Sequence, residues 1–211
     1  MTGTKLKLCG FKKLDDIYFA LNAGVDFIGL NNISISKRFI SSDEILVLLR
    51  TMSLEARKKI IVLLNHLDSE FLLELKDLGV EYIQSYLLEA EDKVLFAMNF
   101  KVIKVFSVAS DGTDIEKISK LDLNAYEYLL LDTKVDNALG GTGKSFDWSV
   151  FRELKKQLDI EMILAGGLNR DNVLEAIKES NCSFVDIAGG VEEQIEGKAI
   201  QKSYALIKEL V

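Results

Sequence analysis

Proline is absent from all 211 residues, where ordinary usage of about 5% would supply about ten. Without it the chain lacks the usual helix stops and rigid turns, so glycine, Asn, Asp and Ser must shape the loops. Histidine is almost absent too. His66 is the single copy, which leaves little support for a Ser-His-Asp triad. The two cysteines, Cys9 and Cys182, lie far apart without C-x-x-C spacing, and no group of His, Cys and carboxylates has metal-ligand spacing. A reduced compartment and no metal are expected. No apolar run approaches the roughly 18 residues needed to span a membrane, and the start MTGTKLKLCG has no apolar signal core. The expectation is a cytoplasmic protein without a membrane partner. Positive charge is the scarcer sign, 26 Lys and Arg against 33 Asp and Glu for a net charge of −7. That balance argues against a broad nucleic-acid surface, so any phosphate must be held locally.

What is present is enough apolar material, 48% of the residues, for one sizeable core. Short β-rich runs alternate with amphipathic helical patterns from end to end. Strands are expected at Lys5–Cys9, Phe27–Leu30, Lys59–Leu64, Tyr82–Ser85, Lys101–Phe106, Tyr128–Asp132, Glu161–Ala165 and Phe184–Ile187. Helices are expected at Leu14–Ala23, Ser42–Met52, Ser69–Leu78, Glu91–Met98, Thr113–Leu121, Trp148–Leu158, Arg170–Glu179 and Lys198–Leu210. Ser42, followed by Asp43 and Glu44, is the expected N-cap of the second. Eight βα units close naturally into a barrel, whereas an open doubly wound sheet more often has five or six strands. The reading is therefore an α/β chain forming a single-domain (β/α)8 TIM barrel over residues 1–211, expected to be a monomer. Its chemistry should lie on the loops after the strand C-termini.

That face sorts the candidates. Asp132 ends the buried-looking run YLLLD, where low dielectric raises a carboxyl pKa toward general-acid duty. Cys9 ends KLKLC and precedes Gly10. It reads as a base or nucleophile if cations depress its pKa, and otherwise as a small buried hydrophobe. Cys182, at a helix-to-strand turn on the opposite face, reads as structural. Gly166-Gly167 in AGGLN and Gly189-Gly190 in IAGG follow the last two strands, where glycine lets backbone N–H groups cradle a phosphate. GGTGKS begins at Gly140, but a nucleotide-binding loop needs glycine where Ala138 stands. Gly140, Gly141 and Gly143 instead suit a flexible loop closing over Asp132. Arg38, beside Lys37, can clamp a carboxylate with parallel hydrogen bonds or be solvated surface. Asp186 is an alternative acid, read as bracing the neighbouring backbone.

With these residues in place the chain resembles the phosphoribosylanthranilate isomerase family of tryptophan and thus aromatic amino acid biosynthesis. KLCG at 7–10 matches that family's K-[IV]-C-G, SKRFIS at 36–41 is similar to its S-[PK]-R-Y-[IV]-S, and LLDT…GGTGKSFDWS at 130–149 resembles its LLDT…GG[ST]GKTFDWS. LAGGLNRDNV at 164–173 matches its L-[SA]-G-G-L-N-P-x-N-V. The resemblance implies an Amadori rearrangement of N-(5-phosphoribosyl)anthranilate without cofactor. It implies Asp132 as general acid, Cys9 as general base and Arg38 on the anthranilate carboxylate, with Gly166, Gly167, Gly189 and Gly190 on the phosphate. Gln84-Ser85-Tyr86-Leu87 stands where the family has Q-L-H-G, Leu30-Asn31-Asn32 where it has F-[VI]-F, and Asp186-Ile187-Ala188-Gly189-Gly190-Val191-Glu192 where it has D-V-S-S-G-V-E. These departures motivate an alternative, a catalytically lapsed barrel that only binds a phosphorylated ligand or a partner. A histidine-pathway isomerase is a third reading, set against Cys9 standing where such enzymes resemble a two-aspartate pattern.

Overall fold

Runs dominated by Ile, Val, Leu, Phe and Tyr form eight parallel strands in chain order, and the last pairs with the first to close a barrel. The structure is a computed structural model that describes residues 3–108, 118, 120–133, 147–192 and 206. The strands are β1 (Lys5–Cys9), β2 (Phe27–Asn31), β3 (Ile60–Leu64), β4 (Tyr82–Ser85), β5 (Lys101–Val108), β6 (Tyr128–Thr133), β7 (Met162–Leu164) and β8 (Phe184–Ile187). The order agrees with the alternation read from the sequence. The clearest differences are β5, which runs on to Val108, and β7, which is trimmed at both ends.

Among the described residues the helices are α1 (Leu14–Asn22), α2 (Ser42–Thr51), α3 (Leu54–Arg57), α4 (Ser69–Asp77), α5 (Glu89–Ala97), α6 (Trp148–Gln157) and α7 (Val173–Ser180). The N-cap of α2 is Ser41, not Ser42. Ser41 Oγ accepts from the Glu44 N–H at 3.3 Å while Glu44 accepts from the Ser41 N–H at 2.9 Å, a reciprocal capping box that only this one-residue shift allows. α3 is a single Ser53-capped turn, too short for a periodic signal. α5 starts two residues earlier than Glu91 because the Glu91 carboxylate reaches back to the Leu88 N–H at 2.9 Å. α7 starts at Val173 rather than Arg170. The Asn169 side chain accepts from the Asp171 N–H and the Asn172 side chain from the Asn169 N–H, both at 2.8 Å, which holds that stretch as turns. The helix expected at 113–121 falls mostly, and that at 198–210 almost wholly, outside the described residues.

Alternation sends every second strand residue inward, and the even and odd strands take turns in filling the lumen. At the N-terminal floor Phe27, Tyr82, Tyr128 and Phe184 of β2, β4, β6 and β8 form a ring, with successive centroids 5.1, 6.5, 5.4 and 5.6 Å apart. The next layer comes from β1, β3, β5 and β7 as Lys7, Ile61, Ile103 and Ile163, all at 0% exposure. Above it stand Gly29, Gln84, Leu130 and Asp186. Outside the barrel a separate apolar cluster that includes Leu8, Ile28, Val62, Ile83, Leu129 and Leu164 packs against the helices. Each such side chain contributes about 1.5–3 kcal/mol by leaving water.

One polar knot interrupts that outer layer. Asp92 of α5, fully buried, accepts from Ser85 Oγ, from Lys104 Nζ at 2.7 Å and from Tyr126 Oη at 2.9 Å. Lys104 also donates to the Leu87 carbonyl at 2.6 Å. The knot therefore pins both flanks of Tyr86, the residue that follows β4.

Candidate active site

Cys9 ends β1 and is 4% exposed. Its register partner on β2 is Gly29, and a Cβ there would stand 2.6 Å from the Cys9 sulfur. Glycine at 29 is thus what leaves the thiol its space. Two residues earlier on the same face, Lys7 donates to Asp186 Oδ2 at 2.6 Å and also hydrogen-bonds the Cys9 side chain. Burial works against the ammonium, but the charges of Asp186 and Cys9 outweigh it and the Lys7 pKa is raised. A fixed cation beside a thiol favours the thiolate, the form able to take a proton. Asp186 was expected to brace nearby backbone; it instead forms this buried ion pair across the β1–β8 seam, where register sets it beside Lys7.

Asp132 stands at the tip of β6, half-buried. Its pKa rises from 3.8 to about 6, first through burial and then through the charge of Asp186, with a backbone hydrogen bond from Thr133 and the charges of Lys7 and Arg38 opposing. Tyr86 accepts a hydrogen bond from Gln84 Nε2 at 3.2 Å. Burial, then the charges of Asp132, Cys9 and Asp186, hold its pKa well above the usual phenol value. It is a neutral phenol that feels the charges of both the acid and the thiol.

Arg38 is buried, at 7% exposure, while Lys37 is exposed. Its aliphatic stem lies against Gly10, where a Cβ would collide with Cδ. Its guanidinium forks Glu192, Nε to Oε1 at 2.5 Å and Nη2 to Oε2 at 2.9 Å, and it feels the charges of Cys9 and Asp186. The two glycine loops also meet. Gly166 and Gly167 turn the chain after β7 with φ of 90° and 68°, and Asn169 bridges to Gly190 after β8. The structure thus gathers Cys9, Asp132 and Arg38 on one rim and joins Gly166-Gly167 to Gly189-Gly190. His66 is exposed after β3. Gly140, Gly141 and Gly143 lie outside the described residues.

Comparisons with known proteins identify the family. The family described as PRAI, N-(5'-phosphoribosyl)anthranilate (PRA) isomerase, matches residues 6–211. The chain belongs to this family. It is 34% identical over 207 residues to the N-(5'-phosphoribosyl)anthranilate isomerase of Aquifex aeolicus, covering 97% of both chains. To the enzyme of Listeria monocytogenes it is 35% identical over 204 residues, 96% of both. The crystal structure of phosphoribosyl anthranilate isomerase from Thermotoga maritima superposes with a TM-score of 0.80 at 26% identity, over 97% of both chains.

Within this isomerase framework, sequence reasoning missed Lys7, Gly29 and Glu192. Lys7 carried a signal, a lysine in the middle of the strand KLKLC spaced i, i+2 from Cys9, so that both point inward. Glu192 closes the stretch that resembles the family's D-V-S-S-G-V-E, but nothing local ties it to Arg38, 154 residues away. Among the described residues no helix is long and apolar enough to cross a membrane, and no group of three or more His, Cys, Asp or Glu could hold a metal ion.

Proposed function

We infer that this chain is a phosphoribosylanthranilate isomerase that converts N-(5-phosphoribosyl)anthranilate to 1-(2-carboxyphenylamino)-1-deoxyribulose 5-phosphate by proton transfer alone. The observation that carries the mechanism is Asp132 with a pKa of about 6 on the same rim as a thiol that hydrogen-bonds a lysine. A carboxyl at its ordinary value would hold almost no proton near neutral pH, whereas this one holds an appreciable fraction.

Asp132 gives its proton to the furanose ring oxygen. The C1–O bond breaks toward that oxygen, and the anthranilate nitrogen lone pair forms the C=N bond of a Schiff base. Cys9, as thiolate, takes the C2 proton; the C–H electrons become the C1=C2 bond and the C=N electrons return to nitrogen, giving the enol amine. Tautomerisation yields the ketose. The rearrangement is intramolecular and redox-neutral: Asp132 gives up one proton and Cys9 gains one, exchange with solvent restores both groups, and in the tautomerisation the enol O–H proton is lost while C1 gains one.

Arg38 binds the anthranilate carboxylate, and its fork already holds a carboxylate, that of Glu192, so substrate exchanges with it or shares the guanidinium. The joined loops at Gly166-Gly167 and Gly189-Gly190 hold the phosphate with backbone N–H groups, in place of the Ser hydroxyls that this chain lacks at Ala188 and Gly189. We take residues 1–211 as one domain that buries its core without a partner chain, hence a monomer, and as cytoplasmic from its two widely separated cysteines.

Purified protein should consume the fluorescent substrate in a steady-state fluorescence assay. Cys9→Ser should slow turnover by about 100-fold or more, because an alcohol is a poor base at neutral pH. Binding of substrate without turnover by the parent would overturn the isomerase reading in favour of the lapsed barrel.

A further inference from the structure

Asp186 is 8% exposed, and its two carboxylate oxygens are treated differently. Oδ2 takes the hydrogen bond from Lys7 at 2.6 Å. Oδ1 is buried and has no hydrogen-bond partner among the described residues. A buried carboxylate oxygen left unpaired is expensive to keep, and such groups are found where something else completes them.

A structural role alone explains little. Lys7 stands in a layer otherwise made of Ile61, Ile103 and Ile163, where an apolar side chain would pack without loss of solvation. Buried ion pairs are weak stabilisers, and replacing both partners by hydrophobes is often neutral or better. A pair kept only for structure would also have both acid oxygens satisfied. This one leaves Oδ1 among groups of the mouth, since Asp132, Tyr86 and Arg38 all feel the Asp186 charge. The same lysine serves Cys9. Asp186 and Cys9 are therefore neighbours through a shared cation, and whatever carbon Cys9 deprotonates lies within reach of Asp186.

We propose that Asp186 contacts the substrate, with Oδ1 accepting a hydrogen bond from the C2 hydroxyl of the ribose while Lys7 holds the carboxylate from below. The assignment of C2 rests on the isomerase reading. Its chemical sense is differential. When Cys9 removes the C2 proton, the C2 hydroxyl changes from an alcohol to an enol, a stronger acid, so its hydrogen bond to a carboxylate tightens as the barrier is crossed.

The test uses full-length protein with Asp186→Asn and the double variant Lys7→Met/Asp186→Leu. The single variant leaves an unpaired ammonium in the core and can fail to fold. The double variant removes both charges and should fold like the parent, as a urea titration checks. Two readouts follow. Per folded molecule, the double variant should lose about 100-fold in kcat, with KM changed less; part of that loss comes from Cys9 losing Lys7, so the sugar comparison isolates Asp186, while kcat within about threefold of the parent would overturn the proposal. Independently of turnover, ribose 5-phosphate should bind the parent about tenfold or more tightly than 2-deoxyribose 5-phosphate, and the double variant should bind the two alike. Equal affinity of the parent for both sugars, or none for either, refutes the hydroxyl contact whether or not isomerase activity is found. Discrimination by a parent that shows no turnover would sink the isomerase reading and keep Asp186 as a hydroxyl ligand.

Discussion

Replacing Asp132 by Asn should make the protein more stable and nearly inactive, and the two effects should depend on pH in a linked way. The carboxyl is pushed from 3.8 to about 6 mainly by burial and by Asp186, so ionising it in the folded protein is harder than in the unfolded chain. The sign follows from where each state holds its proton. Below the unfolded value neither state is ionised and the penalty is absent; it grows as pH rises from 3.8 to about 6 and is complete above. A shift of that size corresponds to about 3 kcal/mol of lost stability at pH 8. Asn has the same shape and no charge to desolvate. For a chain of this length the variant should melt about 6–12 °C higher at pH 8, and the gain should vanish near pH 4. Its turnover should fall by about 100- to 10,000-fold. In the parent, kcat/KM should decline on the alkaline side with an apparent pKa near 6. Thermal melts by circular dichroism at pH 4 and pH 8, beside steady-state assays across the same range, measure both effects. A variant that melts no higher than the parent at pH 8, or one that keeps its turnover, would refute the assignment of a strained acid to this position.

Three other outcomes follow from the packing. Gly29→Ala would place a methyl 2.6 Å from the Cys9 sulfur; it should destabilise by about 1–3 kcal/mol and lower kcat about 100-fold by displacing the base, visible as a kcat loss on protein shown to be folded by its melt. Asp92→Ala leaves the buried Lys104 ammonium without a counter-charge, held only by the Leu87 carbonyl, and should cost about 3–5 kcal/mol in urea unfolding, most of it recovered in Asp92→Leu/Lys104→Met. Ser41→Ala removes half of a capping box and should lower stability by about 1 kcal/mol with kinetics unchanged, as paired denaturation and activity measurements would report.

The sequence alone determined the barrel. Eight alternations of a period-two run with a 3.6-period run leave few other ways to bury both faces of each strand, and they dictate that chemistry gathers at strand tips. The positions of Asp132, Cys9, Arg38 and the paired glycines on that face were legible for that reason, since each sits at a strand tip or in the loop that follows one. Boundaries were less legible where two residue types compete for one role. Ser41 and Ser42 both suit a cap, and only the reach of the Glu44 carboxylate selects the first. Tertiary structure alone decided what the tips contain. Lys7 reads in sequence as a strand lysine of no stated use, and closure of β8 on β1 sets it beside Asp186, 179 residues away. Gly29 looks like a weak point in a strand until Cys9 is placed against it. The raised pKa of Asp132 has the same origin, because burial and the Asp186 charge exist only after the chain has closed. Periodicity is a local property carried by neighbours in sequence, whereas desolvation and charge are properties of neighbours in space, and only folding makes those.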